Sequence, residues 1–274
     1  MKKVFLVLTL LFGYLLFSIQ SAQAQIDIAV LHAEGDPTWP ADVQSKLQNF
    51  ADFGVIDIIS VLASTPTLDQ LSQYRAVLVS TDNAPQNPGL LGDVLADYVD
   101  NRGGVVLVHA SMSDPWGLLG RFRTGGYGLI GFYSGQRTGP ASLGDILEPD
   151  HPLMEGVSTF VGGGYSGRPD TSGIAQGTLV ARWSDGTPLL VAGDVGGTPR
   201  ADLGFFPVSS DIRSDFWDRN TDGAQMMRNA LVFVGVAAQP PMRNPSTVNT
   251  TPSEPVVSPS NKEILPATAY GYRR

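Results

Sequence analysis

The sequence predicts an α/β domain built on a parallel sheet, and three observations carry that expectation. Short aliphatic runs alternate with amphipathic helical stretches from Ile26 onward, the pattern of βαβ units with right-handed crossovers. The best-formed unit, Pro88 to Ser111, joins a helix to the continuous apolar run Val105 to Val108, which suits a strand covered on both faces. Polar exits follow the aliphatic runs: His32, Glu34 and Asp36 after the first, Asp82 and Asn83 after the third, His109 and Ser111 after the fourth. In an open α/β sheet such exits face the ligand crevice.

In order, Ile26 to Leu31 reads as a strand, Ala41 to Phe53 as a helix and Val55 to Val61 as a second strand. Thr67 to Tyr74 is a short helix that Thr65 or Thr67 can cap, and Ala76 to Ser80 is a third strand. The central helix starts at Pro88 with Asn87 as N-cap, and Gly103 and Gly104 can end it in a left-handed turn. Met112 to Ser142 is glycine-rich and aperiodic, but Trp116, Phe122, Tyr127, Phe132 and Tyr133 argue that it is ordered, since apolar rings seek burial. Its Gly126-x-Gly128-x-x-Gly131 frame lacks the strand before and the helix after that a dinucleotide site needs. Leu143 to Leu147 reads as a helical turn, and Gly162 to Gly164 as a flexible loop. Thr178 to Ser184 and Pro188 to Val195 form a hairpin through Asp185-Gly186. A strand over Ala201 to Val208 and a helix over Thr221 to Val234 complete the domain.

The ends of the chain differ from its middle. Lys2 and Lys3, an apolar run from Val4 to Phe17 and Ala22-Gln23-Ala24 are the three parts of a secretory signal peptide. The expected organisation is a leader over 1–24, an α/β domain over 25–237 and a Pro/Ser/Thr-rich disordered tail over 238–274. Cleavage after Ala24 implies a secreted or periplasmic protein with no stable membrane span, and takes the formal charge from −8 to −10, with 16 basic against 26 acidic residues left. Such an acidic surface offers no footprint for nucleic acid. The chain contains no cysteine, so disulfides and a thiol nucleophile are both excluded.

Three segments together resemble one family: GDVLADYVDNRGGVVLVHAS over 92–111, DHPLMEGVSTF over 150–160 and DGAQMMRNALVFVG over 222–235. This is similar to the class I glutamine amidotransferase-like superfamily, and within it to the ThuA-like (trehalose utilisation) branch. The resemblance implies a flavodoxin-like three-layer sandwich with a mainly parallel central sheet and a site at the C-terminal strand ends. True amidotransferases carry a cysteine at the elbow where this chain has Val108-His109-Ala110-Ser111, so glutamine hydrolysis by the thiolate route is excluded.

The candidate chemistry is modest. Ser111 with His32 or His151 and Asp82 would make a nucleophile, base and orienting acid, although no G-x-S-x-G elbow is present. His109 is the further catalytic candidate, and Asp82, Asn83, His109 and His151 are the candidate ligand contacts. His32, His109 or His151 with Asp82 would suit zinc, but without diagnostic spacing. Asp218, Asn220 and Asp222 fit the D-x-N-x-D-G start of a calcium loop, with Asp211 and Asp215 nearby. Position twelve of that loop is Asn229 rather than glutamate, which favours a helix cap by Asn220 or Thr221 over Ca2+. Two functions follow: an exported ligand-binding or interaction module for a small molecule or carbohydrate, or a sugar-directed hydrolase acting from the His109 elbow. Mass spectrometry of secreted protein should find Gln25 at the N-terminus; full-length chain in the membrane fraction would refute the cleaved leader.

Overall fold

The computed structural model describes residues 24–237; the segments expected to be a leader, up to residue 23, and a tail, from residue 238, lie outside the described residues. The first half follows the predicted alternation: β1 (Ile26–His32), α1 (Thr38–Leu47), β2 (Phe53–Ser60), α2 (Leu68–Leu71), β3 (Ala76–Ser80), α3 (Pro88–Asp100) and β4 (Gly104–Val108). Local chemistry sets the ends. Thr67 and Gln70 form a reciprocal capping box on α2, and Asn87 accepts from Leu90 N at the start of α3. The left-handed residue after α3 is Arg102 (φ 71°) and not a glycine. Gly103 and Gly104 are required for a different reason, since a Cβ there would strike the Tyr98 ring and the Val234 backbone.

The glycine-rich stretch holds a 3-10 turn (His109–Met112), β5 (Ser113–Asp114), α4 (Gly120–Thr124) and β6 (Tyr133–Ser134). Then come β7 (Ala141–Ile146), a 3-10 turn (Pro152–Met154), β8 (Val161–Gly162), β9 (Thr178–Trp183), β10 (Pro188–Val195), β11 (Thr198–Leu203) and α5 (Gly223–Ala237). The expected helical turn at 143–147 is therefore a strand. It pairs antiparallel with β9, Leu143 opposite Trp183, so edge pairing overrides a weak local preference.

The sheet is mixed and not mainly parallel. Its nine strands run in the order β2-β1-β3-β4-β11-β10-β9-β7-β8. Pairings from β2 to β11 are parallel, and those from β11 to β8 are antiparallel. Short hairpins set the antiparallel run from β9 through β10 to β11. The Gly196-Gly197 link between β10 and β11 has φ of 61° and 82°, which matches the positive-φ turn that lets two twisted strands fold straight back.

Helices cover both faces, giving an α/β sandwich. In β4, Val106 and Val108 pack toward α1 and α5, while Val105 and Leu107 pack toward α2, α3 and α4, the period-two alternation of a strand buried on both sides. Among the described residues no helix is long and apolar enough to cross a membrane.

One buried ion pair locks the glycine-rich stretch to the sheet. Asp202 on β11 accepts from the Leu129 and Ile130 backbone N–H groups at 2.6 and 3.0 Å. Arg200, two residues earlier, lies 3.2 Å from Asp202, donates to the carbonyls of Tyr127 and Val105, and covers the Phe122 ring. Burial pushes the Asp202 carboxyl up and Arg200 down to about 10, yet a guanidinium at that value stays protonated at neutral pH. Asp202→Ala should lower unfolding free energy by about 3–5 kcal/mol, because it strands a buried cation and two N–H donors. Urea denaturation measures this; a loss under about 1 kcal/mol would mean the pair is dispensable.

Candidate functional site

Order in the sheet locates the crevice. β1 lies between β2 and β3, and the helices that follow β1 and β3, α1 and α3, pack on opposite faces, so the chain departs in different directions at the C-terminal ends of β1 and β3. Such a switch point leaves a gap between the departing segments. Here a cleft of about 130 Å3 opens beside it, lined by Trp39, Asp82, His109, Ala110, Trp116, Gln136, Tyr165, Gly167, Phe206, Arg213 and Phe216.

Each wall comes from a different loop. Trp39 is delivered by the first turn of α1 and meets Phe206 and Phe216 edge-on, at ring separations of 5.7 and 5.4 Å. Arg213 is held by Asp215 through Nε (3.1 Å) and Nη2 (2.7 Å), and its guanidinium covers the rings of Tyr165 and Phe216 at 4.8 and 4.7 Å. Asp82 is at the exit of β3, where partial desolvation raises its carboxyl and the Arg213 charge opposes that rise.

His109 forms the floor. Its Nδ1 lies 2.7 Å from the Tyr133 hydroxyl and its Nε2 3.0 Å from Gln136 Oε1, and its ring stacks on Tyr133 at 5.8 Å. A Cβ on Gly167 would fall 2.8 Å from the imidazole and 2.9 Å from Gln136, so only glycine lets that backbone close over the pair. Burial holds the imidazole neutral by lowering its pKa to about 4.

The structure separates the residues that were grouped by sequence. Ser111 turns away from His109 and donates to the Val79 carbonyl at 2.6 Å, fully buried; no Ser-His dyad forms at the elbow. His32 is the last residue of β1, buried, its Nδ1 3.3 Å from Glu34 Oε2. Glu34 also accepts from Ser80, and burial raises its carboxyl. Asn83 clips the two strand exits together by donating to the Ala33 carbonyl at 3.1 Å. His151 accepts from Leu153 N at 3.1 Å and packs on Phe233, on the part of α5 that lies over the N-terminal ends of β1 and β4 through Gly235 and Val234. It is therefore at the sheet edge opposite His109. The zinc combinations do not converge: among the described residues no group of three or more His, Asp or Glu side chains is placed to hold a metal.

The calcium pattern is spent on loop closure. Asp218 accepts from its neighbour Asn220 through backbone N and Nδ2 at 3.0 and 2.9 Å. Asp222 turns to the backbone N–H groups of Ser158 and Thr159 at 2.8 and 2.7 Å; those bonds lower its carboxyl against the opposing effect of burial. Asn229 is buried and donates to the carbonyls of Leu153 and Glu155. What sequence reasoning missed is the aromatic wall. Trp39, Phe206, Arg213 and Phe216 carry no motif, and only the rings of the glycine-rich stretch gave a signal.

No protein-family model and no curated protein sequence matches the chain. Among solved structures it is similar to a ThuA-like protein from Bacteroides uniformis ATCC 8492, with a TM-score of 0.53 at 16% identity, over 78% of this chain and 93% of that one. A β-galactosidase from Bacillus circulans sp. alkalophilus follows at a TM-score of 0.48 and 14% identity, over 76% of this chain and 30% of that one. The exo-β-1,4-mannosidase Op5Man5 from Opitutaceae bacterium strain TAV5 gives 0.45 and 15%, over 76% and 36%. This chain thus spans about a third of each glycosidase, and the likeness that stands is one of fold, to the ThuA-like protein.

The His109 environment has a consequence for stability. Its proton binds the unfolded chain, near the ordinary 6.5, better than the fold, near 4. The stability it contributes is complete above about pH 6.5 and is lost as pH falls toward 4, a linkage of about 3 kcal/mol. The unfolding free energy of wild type minus that of His109→Asn should therefore shrink across that window. A difference independent of pH would mean that His109 titrates normally in the fold.

Proposed function

We propose that this is an exported domain on a flavodoxin-like, amidotransferase-like scaffold of the ThuA-like branch, which binds a small carbohydrate in the aromatic cleft and does not hydrolyse glutamine. The observation that carries the reading is the lining: five aromatic rings with Asp82, Gln136 and Arg213 set among them. A pyranose has apolar C–H faces and a polar rim. Rings take the faces, while a carboxylate, an amide and a guanidinium take the hydroxyls. Arg213 is pre-placed by Asp215 and by stacking, with Nη1 unused in that bidentate contact, so little side-chain entropy is lost when it meets a ligand.

The hydrolase reading finds less support. A base and a nucleophile at the elbow would need a free ring nitrogen and a hydroxyl near it. His109 has both ring nitrogens engaged, and the Ser111 hydroxyl is committed to the Val79 carbonyl.

Calorimetric titration of the chain with methyl glycosides tests the proposal. Saturable binding is expected, weakened about tenfold in Trp116→Ala, which removes a stacking ring. Ser111→Ala should leave that binding unchanged while costing about 1–2 kcal/mol of stability, because it strands the Val79 carbonyl. Absence of saturable binding to any glycoside, or a glycoside hydrolysis abolished in Ser111→Ala, would overturn it.

A further inference from the structure

His109 has more hydrogen-bond contacts than a neutral imidazole can satisfy in an arbitrary arrangement. The Tyr133 hydroxyl lies 2.7 Å from Nδ1 and also 2.9 Å from the His109 carbonyl oxygen. Nε2 lies 3.0 Å from the Gln136 amide, whose oxygen and nitrogen ends exchange by a half-turn without moving the side chain. A hydroxyl has one proton and can serve one acceptor. If Tyr133 donates to Nδ1, its oxygen faces the His109 carbonyl with no proton between them. If Tyr133 donates to the carbonyl, Nδ1 must carry the imidazole proton and donate to the phenol oxygen. Nε2 is then a bare acceptor, and only the NH2 end of Gln136 can face it.

The second arrangement satisfies all three contacts; the first satisfies two. A doubly protonated ring would also satisfy three, but burial disfavours the cation at neutral pH. We infer that Tyr133, acting through His109, holds Gln136 with its NH2 inward and its carbonyl oxygen toward the cleft, so that Gln136 is an acceptor selecting ligand hydroxyls over carboxylates. Tyr133 and His109 are positioning residues in this scheme, and Gln136 is the contact. Gly167 completes the device, since its backbone packs against both His109 and Gln136.

The charges around the cleft agree with this polarity. Asp82 supplies a second acceptor, and the one cation among the described residues lining the cleft, Arg213, already carries Asp215. An acidic sugar would meet an amide oxygen and a carboxylate, with no unpaired cation among the described lining residues to offset them. A neutral sugar can donate to both acceptors and accept from Arg213. The ligand class rests on the carbohydrate reading above; the orientation of the relay does not.

The test therefore has two parts. In the ligand-free full chain, 15N-resolved NMR of the histidine side chains at neutral pH should show His109 protonated at Nδ1 and bare at Nε2. Tyr133→Phe, which keeps the ring but removes the hydroxyl, should move the proton to Nε2. Calorimetry should then find methyl β-D-glucopyranoside bound about tenfold more tightly than the corresponding glucuronide, with the preference narrowed in Tyr133→Phe to the part that Asp82 supplies. An Nε2-protonated wild type, or a tautomer indifferent to Tyr133→Phe, overturns the relay whether or not any sugar binds. An Nδ1-protonated wild type that binds neither glycoside keeps the relay and overturns the ligand class, and equal affinities overturn the selectivity alone.

Discussion

The buried contact between Arg200 and Asp202 is the constraint on which the cleft depends. The stretch from Met112 to Ser142 has no helix or strand longer than five residues before β7, so it cannot order itself through its own backbone ladder. Asp202 supplies what the segment lacks by accepting two of its N–H groups, and Arg200 takes its Tyr127 carbonyl. Both anchors stand on β11, which pairs with β4, and β4 leads directly into His109. The element that carries the elbow and the element that pins the loop are thus neighbours in one sheet. Tyr133 and Gln136, a few residues beyond the pinned Leu129 and Ile130, then meet His109 without a long free segment.

The two halves of the sheet divide the work. The parallel half buries each strand on both faces and sends Trp39, Asp82 and His109 to one edge. In the antiparallel half a four-residue turn joins β9 to β10 and a two-residue turn joins β10 to β11, and the Trp183 indole on β9 donates to the Gly204 carbonyl just after β11. That half supplies the wall opposite, through Phe206 and the loop carrying Arg213 and Phe216. Those rings pack with Trp39 from the first helix, so the cleft joins the start of the domain to its end.

The legible parts of the fold were those where local chemistry and tertiary burial agree. β3 and the start of α3 fall where their patterns put them, because an all-apolar run and an Asn-Pro start have little alternative. The α1 helix begins three residues early and ends six residues early, since Phe53 belongs to β2. The 143–147 segment was misread because five residues with leucine and isoleucine fit a turn of helix or an edge strand equally, and only its partner β9 decides. The site divides in the same way. His109 and Asp82 were reachable from the rule that strand exits face the crevice, whereas Ser111 satisfies that rule in sequence and violates it in space. Its side chain turns inward because a buried carbonyl at Val79 needs a donor. Phe216 was invisible because its role arises from a contact with Trp39 across more than 170 residues of chain, and Arg213 because it is placed by stacking on Phe216 and Tyr165.

The placement of β11 between β4 and β10 also sets an order of events. Strand β4 pairs with β3 on one side and with β11 on the other, and the latter register joins Val105 to Arg200. Until the last third of the chain exists, the apolar run Val105 to Val108 has one unpaired edge, with bare amide and carbonyl groups along it. Contacts this distant in sequence are slow to form, because chain closure must precede any gain from pairing. An unpaired aliphatic strand edge is also a template for other chains. The nascent N-terminal half is therefore the aggregation-prone form of this protein, and substitutions that delay β11 would lower yield before they altered the finished cleft.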